Sequence, residues 1–144
     1  MFKRTLFALL AALMLTAGYC NLTPEEIDMN YAITVTVGET SFPATLLVVP
    51  AALQLVTRMP FTIDMRELNG NEKYHYFDES FTTESDRVGS IRTGDLMLYG
   101  SDCLVLFYDS FSTPYSYTRL GSVDDPTGLA EALGRGDVTV TFES

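Results

Sequence analysis

Two short apolar runs within residues 94–108 constrain the fold of this chain more than any other segment. The runs cover residues 95–98 and 103–108, and turn-forming residues precede them and separate them. Apolar runs of this length between turn signals are typical of strands that are buried on both faces. We therefore predict two adjacent, largely buried strands at the centre of a β-rich domain.

Alternation of apolar and polar residues marks both ends of this domain. Residues 31–37 alternate, Gly38 and Glu39 form a turn, and residues 40–47 continue as a second extended run, which predicts a hairpin. Residues 138–142 alternate in the same way. Further extended segments are expected at 61–65, 73–77 and 115–120. Short strands at this spacing favour a barrel or a sandwich.

Two short helices are predicted between the strands, and both are expected to plug or flank them. The first covers residues 50–57, with proline in its first turn, and ends before Pro60. The second is predicted to begin with Asp125 as the N-cap and Pro126 at the first position, and to end at Gly134. Its residues expected to face inward are Leu129, Ala130 and Leu133.

The first twenty residues have the composition of a secretory signal. Lys3 and Arg4 precede an apolar run of about ten residues, which is too short to span a bilayer. Residues 15–20 resemble a degenerate bacterial lipoprotein box in which Cys20 is lipidated, although Tyr19 stands where that pattern has a small residue. Lipidation at Cys20 and ordinary soluble export therefore both remain open.

The expected organisation has three parts. A signal peptide at residues 1–20 is followed by a polar linker at 21–30 and by a single domain at 31–144. The chain is expected to be exported, either to the bacterial cell envelope with a lipid anchor or to the periplasm or the medium. Contact with a membrane is expected only through a lipid on Cys20.

The charge balance excludes nucleic acid as a partner. The chain carries 9 basic and 19 acidic residues, a net charge of −10, and loss of residues 1–20 removes two basic residues and no acidic one, which gives −12. Phosphate neutralisation needs clustered Lys or Arg, and electrostatic docking on anionic lipid needs a basic surface. The acidity indicates solubility outside the cytoplasm.

Few residues offer catalytic or metal-binding chemistry. His75 is the single histidine, so a zinc site with ordinary ligands is not expected, and hydrolase, phosphate-loop and dinucleotide motifs are absent from the sequence. Cys103 lies in an apolar strand without an activating cation, and we predict that it packs as a small hydrophobe. A disulfide between Cys20 and Cys103 is not expected. We predict no catalytic residue, no metal and no cofactor.

Several segments resemble the bacterial cyclophilin-like domain family. They are residues 68–74, 94–108, 111–113, 115–121, 124–126 and 136–143. The resemblance extends over essentially all of residues 31–144. It implies a mainly β protein, a closed antiparallel β-barrel of cyclophilin-like topology with two short helices.

The resemblance does not imply prolyl isomerase activity. True cyclophilins carry a catalytic Arg in a Phe-His-Arg strand motif and a Phe-x-x-Gln-Gly-Gly-Asp segment, and neither motif occurs here. His75 is followed by Tyr76 instead of Arg. Arg66 or Arg119 could present a guanidinium to a prolyl carbonyl, which leaves a peptidyl-prolyl isomerase with a non-standard active site as an alternative.

Aromatic residues are concentrated at residues 99–117, which contain six of the seventeen in the chain. With the hydroxyl groups of the 110–115 loop they predict a ligand site at a barrel mouth. The candidate ligand-binding residues are Tyr99, Phe107, Phe111, Ser112, Thr113, Tyr115 and Arg119. The alternative is that these aromatic residues fill the barrel and cover its end.

The favoured function is a non-catalytic binding or accessory module of the bacterial envelope, with an unknown peptide or small molecule as partner. Residual isomerase activity is the second hypothesis. The third is a small-molecule binder that serves redox partners, because relatives of the family resemble domains encoded with or fused to flavodoxin-like proteins. That third link is an association and has no chemical basis in these residues.

Overall fold

The computed structural model describes residues 30–144. The predicted signal peptide, Cys20 and the linker up to residue 29 lie outside the described residues. The described strands are β1 (Tyr31–Val37), β2 (Thr40–Leu46), β3 (Phe61–Leu68), β4 (Glu72–Tyr76), β5 (Asp86–Arg87), β6 (Ser90–Ile91), β7 (Asp95–Tyr99), β8 (Cys103–Phe107), β9 (Phe111–Ser112), β10 (Ser116–Val123) and β11 (Val138–Glu143). The described helices are α1 (Pro50–Arg58) and α2 (Leu129–Leu133).

Eight of these strands close into an antiparallel barrel. Their order is β2-β1-β11-β3-β4-β8-β7-β10, and β10 pairs with β2 to complete the circle. β5 pairs with the start of β10, and β6 pairs with β9 in a separate two-stranded sheet. Closure pairs the backbone groups that an open sheet would leave at its edges. The predicted closed antiparallel barrel with two short helices is confirmed.

Gly121 allows the barrel to close between β10 and β2. It lies opposite Leu46 in the register, and a Cβ at this position would stand 2.2 Å from the carbonyl oxygen of Thr45. No side chain fits in that space. The register of β10 against β7 also shifts between Arg119 and Gly121, which marks a β-bulge that bends the strand.

β7 and β8 form the antiparallel pair that the two apolar runs predict. Every residue of β8 is buried, and successive side chains face two different cores. Leu104 and Leu106 pack in the barrel interior, whereas Val105 and Phe107 belong to a second apolar cluster on the outer face. The pair lacks a polar face because both of its sides are covered.

The outer cluster is covered by the short sheet of β6 and β9. Ile91 and Phe111 are paired across this sheet, and the Phe111 ring lies 5.8 Å from that of Phe107, centroid to centroid. The backbone amide of Thr113 donates to the carbonyl oxygen of Gly89 at 3.0 Å and joins the two covering segments. Strands of two residues have no periodicity of their own, so the sequence analysis did not predict them.

Helix α1 begins at residue 50 as predicted, and it ends at Arg58, one residue beyond the predicted end. Both helices contribute to the barrel core through the buried residues Ala51, Ala52, Leu55, Leu129 and Leu133. In α2, Ala132 packs against this core in place of the predicted Ala130. The short helices therefore help to fill the barrel and form no layer of their own.

The predicted start of the second helix was wrong. The N-cap of α2 is Gly128, with φ of 85°, instead of Asp125. The Oδ1 atom of Asp125 accepts hydrogen bonds from the amide and the hydroxyl of Thr127, at 3.1 and 2.7 Å, and these bonds lower the pKa of Asp125. The amide of Leu129 donates to the carbonyl oxygen of Pro126 at 3.0 Å, which closes a turn before the helix. An acid followed by proline suits a turn as well as a helix start.

Candidate functional site

A concave site lies on the outer face of the barrel, where β4, β8, β7 and the start of β10 are neighbours. We call it the tyrosine pocket, and its volume is about 320 Å³. It is lined by Leu68, Asn69, Glu72, Tyr74, Tyr76, Tyr99, Cys103, Val105, Tyr115 and Tyr117. Its volume falls at the lower end of the roughly 300–1,000 Å³ that small-molecule sites occupy.

Strand periodicity explains why these side chains meet. In β4, Glu72, Tyr74 and Tyr76 are two residues apart and therefore share one face. Tyr74 is paired with Val105 of β8, and Tyr76 with Cys103. Antiparallel pairing thus brings a polar-aromatic strand beside an apolar one, and the pocket has an apolar floor with tyrosine walls.

Several tyrosines of the pocket are unusually exposed. Tyr76 is 59% exposed, Tyr99 47% and Tyr115 58%, whereas Tyr117 is 5% exposed and anchors the group in the outer cluster. Among residues 30–144 there are seven exposed large hydrophobic residues, and these three together with Leu68 make up four of them. Exposed apolar surface concentrated in one concavity is characteristic of a binding site.

Glu72 is the charged residue of the tyrosine pocket. Its side chain is only 9% exposed, and within the described part of the chain no hydrogen-bond donor or cation contacts its carboxylate. Burial raises the pKa of Glu72, and the negative charge of Glu67 raises it further. The pocket therefore contains an acid whose charged form is not stabilised by neighbours.

Lys73, the next residue, faces the opposite side of β4. Its ammonium group donates to Glu67 Oε1 at 3.0 Å and to the carbonyl oxygens of Gly134 at 2.8 Å and Gly136 at 2.6 Å. The hydroxyl of Tyr108 also donates to Glu67 Oε1. All three N–H donors of Lys73 are thus used in a network that joins β4 to the segment after α2, and none reaches the pocket.

The same network shifts two pKa values. Burial raises the pKa of Glu67, but hydrogen bonds from Tyr108, Lys73 and Gly70 outweigh it and leave that pKa lowered. Burial and the hydrogen bond to Glu67 raise the pKa of Tyr108 to about 12. At neutral pH Glu67 is therefore ionised and Tyr108 is protonated, which is the pair of states that their hydrogen bond requires.

Cys103 is 3% exposed and lies in the floor of the pocket. Burial raises the pKa of its thiol to about 11. The thiol is therefore protonated at neutral pH and is a poor nucleophile. This environment agrees with the prediction that Cys103 packs as a small hydrophobe.

The structure brings two of the sequence-predicted site residues together in the pocket. The rings of Tyr99 and Tyr115 are 6.2 Å apart, centroid to centroid, at 73° to one another. Phe107 is fully buried beneath them, with its ring 5.6 Å from that of Tyr117. Phe107 and Tyr117 belong to the outer cluster, so the alternative that these aromatic residues fill the barrel interior is wrong for both.

The remaining predicted residues surround the pocket or lie away from it. Thr113 is buried, and its hydroxyl accepts a hydrogen bond from the amide of Tyr115 at 3.2 Å, so it positions that residue. Phe111 is half-buried in the outer cluster, and Ser112 is exposed beside it. The guanidinium of Arg119 donates to the carbonyl oxygen of Val88 at 3.3 Å and lines a different cavity.

The sequence analysis missed the contribution of β4, namely Glu72, Tyr74 and Tyr76. Part of the signal was present, because alternation in the strand predicted at residues 73–77 places Tyr74 and Tyr76 on one face, whereas Glu72 lies one residue before that range. Which face they share with Tyr99 and Tyr115 depends on the pairing of β4 with β8, about thirty residues later in the chain. Local pattern carries no information on that pairing.

A second groove of about 400 Å³ adjoins the tyrosine pocket and shares Tyr74 and Tyr76 with it. Its other lining residues are Asp64, Arg66 and His75. The Nδ1 atom of His75 is 2.9 Å from the carbonyl oxygen of Asp64, so the imidazole is bonded to the backbone of β3. Arg66 thus lies beside the pocket, whereas Arg119 does not.

The described residues show neither a metal cluster nor a helix that could cross a membrane. Residues 30–144 contain no cluster of His, Cys, Asp and Glu side chains arranged to hold a metal ion. In the same part of the chain, neither helix has the length and hydropathy that crossing a membrane would need.

Comparison with protein families decides the classification. The sequence profile of the cyclophilin-like family matches residues 35–143. The chain belongs to the cyclophilin-like family. No curated protein and no solved structure matches it. The predicted family is therefore confirmed, and the function of this cyclophilin-like domain has to be argued from its own site.

Proposed function

We propose that this cyclophilin-like domain is a non-catalytic binding module of the bacterial envelope, and that the tyrosine pocket holds a small ligand or one side chain of an extended peptide. The observation that carries the proposal is the convergence of Leu68, Tyr76, Tyr99 and Tyr115, four exposed apolar side chains, on one concavity. A soluble domain of this size rarely leaves such a surface uncovered without a use for it.

The tyrosine side chains of the pocket are held by rigid parts of the fold, which favours ligand binding there. Tyr74 and Tyr99 project from paired strands of a closed barrel, and Thr113 positions Tyr115. Tyrosine contributes a large contact area with few rotatable bonds, so little conformational entropy is lost when a ligand packs on it. The binding surface is thus organised before the ligand arrives.

The ionisable groups near the pocket favour binding over catalysis. Cys103 is a protonated, buried thiol, and Lys73 uses its three donors on the other side of β4. Neither forms the activated nucleophile that covalent catalysis requires. Glu72 lies among tyrosines without a second acid or base in hydrogen-bond contact, so the described pocket residues do not form an acid–base pair.

Ligand binding can be tested with pocket variants of the full chain. We expect a retained molecule in native mass spectrometry, or hits in a fragment and tripeptide screen, that are lost in Tyr99→Ala and Tyr115→Ala. Leu53→Ala is the matched control, because Leu53 is 47% exposed on α1 and does not line the pocket. Equal binding by all three variants would show that the pocket is not the site.

The envelope location rests on residues 1–20 and is tested separately. We expect expression in a bacterial host to place the chain in the envelope or periplasmic fraction, with residues 1–20 cleaved. If Cys20 is lipidated, the mature chain carries acyl mass that Cys20→Ser removes. Accumulation of an uncleaved chain in the cytoplasm would contradict export.

A peptidyl-prolyl isomerase remains the second candidate because Arg66 faces the groove beside the tyrosine pocket. A proline-peptide isomerisation assay tests it. Activity that is lost in Arg66→Ala and kept in Arg119→Ala would replace the non-catalytic proposal. No rate enhancement by the wild-type chain would remove the isomerase.

A further inference from the structure

We propose that the tyrosine pocket selects ligands that carry an alkylated ammonium group, with Glu72 as the counter-ion and the tyrosine rings as the walls around the cation. This inference rests on the proposed binding function and names the ligand chemistry of that site. The shared chemistry is a compact, partly apolar cation. It can belong to a free small molecule or to an N-methylated lysine side chain of a peptide.

The carboxylate of Glu72 is unpaired within the described part of the chain. Glu72 is 9% exposed, lines the pocket and has no donor or cation in contact among residues 30–144. Buried charges in proteins are normally paired, because an unpaired one loses its hydration without compensation. A cationic ligand would supply the missing partner, whereas a neutral apolar ligand would remove the remaining water from the carboxylate.

The tyrosine rings of the pocket are inclined to one another. Tyr99 is tilted by 73° to Tyr115 and by 53° to Tyr117, and Tyr74 is tilted by 80° to Tyr76. Tilted rings present both faces and edges around one space. The face of an aromatic ring attracts a cation, most strongly where water is excluded, and alkylated ammonium groups are bound in this way by groups of aromatic side chains.

Among the described residues, no cationic side chain competes with a ligand for the pocket. No Lys or Arg lines the described pocket, and the nearest in sequence, Lys73, is 0% exposed and already paired with Glu67. The whole chain has a net charge of −10, which raises the local concentration of cations at its surface. An anionic ligand would meet Glu72 without any compensating charge in the pocket.

Titration calorimetry with a pair of isosteres tests the inference on the full chain. Choline and 3,3-dimethyl-1-butanol have nearly the same shape, but only choline carries a charge. We expect choline to bind at least about tenfold more tightly than the neutral alcohol. Glu72→Gln should reduce that ratio to about one, and Glu39→Gln, a change of an exposed glutamate in the β1–β2 turn, should leave it unchanged.

A peptide arm separates the two sources of the cation. The probes are a short peptide with one Nε-trimethyllysine and the same peptide with norleucine at that position. Tighter binding of the methylated peptide than of choline indicates a protein-borne ligand, and the reverse order indicates a small molecule. Either order of affinities supports the inference if Glu72→Gln weakens the binding of the ammonium probe. Thermal melts establish that the variants are folded.

Two outcomes overturn the inference. Equal affinity for choline and the alcohol would show a pocket that binds apolar groups without regard to charge, which leaves the proposed binding function intact. No binding of either ammonium probe would overturn the cation inference, and the retained-ligand experiment with Tyr99→Ala would then decide the proposed function independently.

Discussion

Glu72 and Lys73 are neighbours in β4 and are the two buried charged side chains among residues 30–144, yet their surroundings are opposite. Lys73 points to the side where Glu67 and two carbonyl oxygens satisfy every donor. Glu72 points to the outer face, where it lines the pocket together with tyrosine rings and the buried thiol of Cys103. One position along the strand therefore separates a charge that is fully paired within the fold from one that has no donor or cation in contact among residues 30–144.

Structural and functional buried charges differ in their partners. A buried charge that serves the fold is surrounded by partners from distant parts of the chain, as Lys73 is by residues 134–136. A buried charge that lowers stability and has no partner is retained for another reason, and at a concave site the simplest reason is a ligand. Removal of the Lys73 charge is therefore expected to lower the free energy of unfolding, and removal of the Glu72 charge is expected to raise it.

Of the two charge removals, Lys73→Met is expected to have the larger effect. The change keeps the length of the side chain but removes the ammonium donor from the carbonyl oxygens of Gly134 and Gly136 and from Glu67. Glu67 keeps the hydrogen bonds from Tyr108 and Gly70. Because Glu67 is 20% exposed and keeps two donors, we expect the free energy of unfolding to fall by about 2–3 kcal/mol, less than the roughly 3–5 kcal/mol for a fully buried pair broken from one side. Urea denaturation measures it, with Arg92→Met as a control for the loss of an exposed cation. A loss below about 1 kcal/mol would place Lys73 among ordinary surface ion pairs.

A smaller effect of opposite sign is expected for Glu72→Gln. The pKa of Glu72 is raised above its usual value of 4.5 in the folded state, so the folded chain holds a proton that the unfolded chain has released. Stability then falls as pH rises from 4.5 through the folded pKa, and the destabilisation is complete above it. The glutamine variant should be more stable than wild type by about 1 kcal/mol at pH 7.5 and no more stable at pH 4.

Denaturation at several pH values between 4 and 8 measures this difference. The groups near Glu72 that also titrate or carry charge are Glu67, Cys103, Tyr74, Tyr76, Tyr99, Tyr115 and Tyr117. They are present in both proteins, so the difference between the two curves isolates Glu72. A glutamine variant that is less stable than wild type at pH 7.5 would mean that the carboxylate has a partner within the fold.

The barrel was predictable where its signals are local. Alternation and a turn predicted the β1–β2 hairpin, and apolar runs between turn residues predicted the β7–β8 pair. The family resemblance supplied the barrel closure, which no local pattern encodes. The predicted start of α2 was wrong because an acid before proline is compatible with both a helix N-terminus and a turn. In this chain Asp125 forms the turn, and the helix begins after Gly128. β6 and β9 were missed because they exist only through pairing with one another.

The site was predictable to the extent that its residues are close in sequence. Tyr99 and Tyr115 lie in one aromatic segment, and both line the tyrosine pocket. Glu72 and Tyr76 come from β4 and reach the pocket only because β4 pairs with β8. The residue with the most informative chemistry, Glu72, was therefore the one that sequence reasoning did not reach.

The smallest effect on stability is expected for Tyr115→Ala, which truncates a wall of the tyrosine pocket. Tyr115 is 58% exposed and precedes β10, so truncation should change the free energy of unfolding by less than about 0.5 kcal/mol. Phe107→Ala, in the fully buried layer beneath, should lower it by about 3–5 kcal/mol. Urea denaturation measures the stability of both variants, and choline titration measures their binding. Together they distinguish Tyr115, as a residue of the binding surface, from Phe107, as a residue of the fold. If Tyr115→Ala unfolds the domain, the exposed ring belongs to the fold and its exposure no longer argues for a ligand.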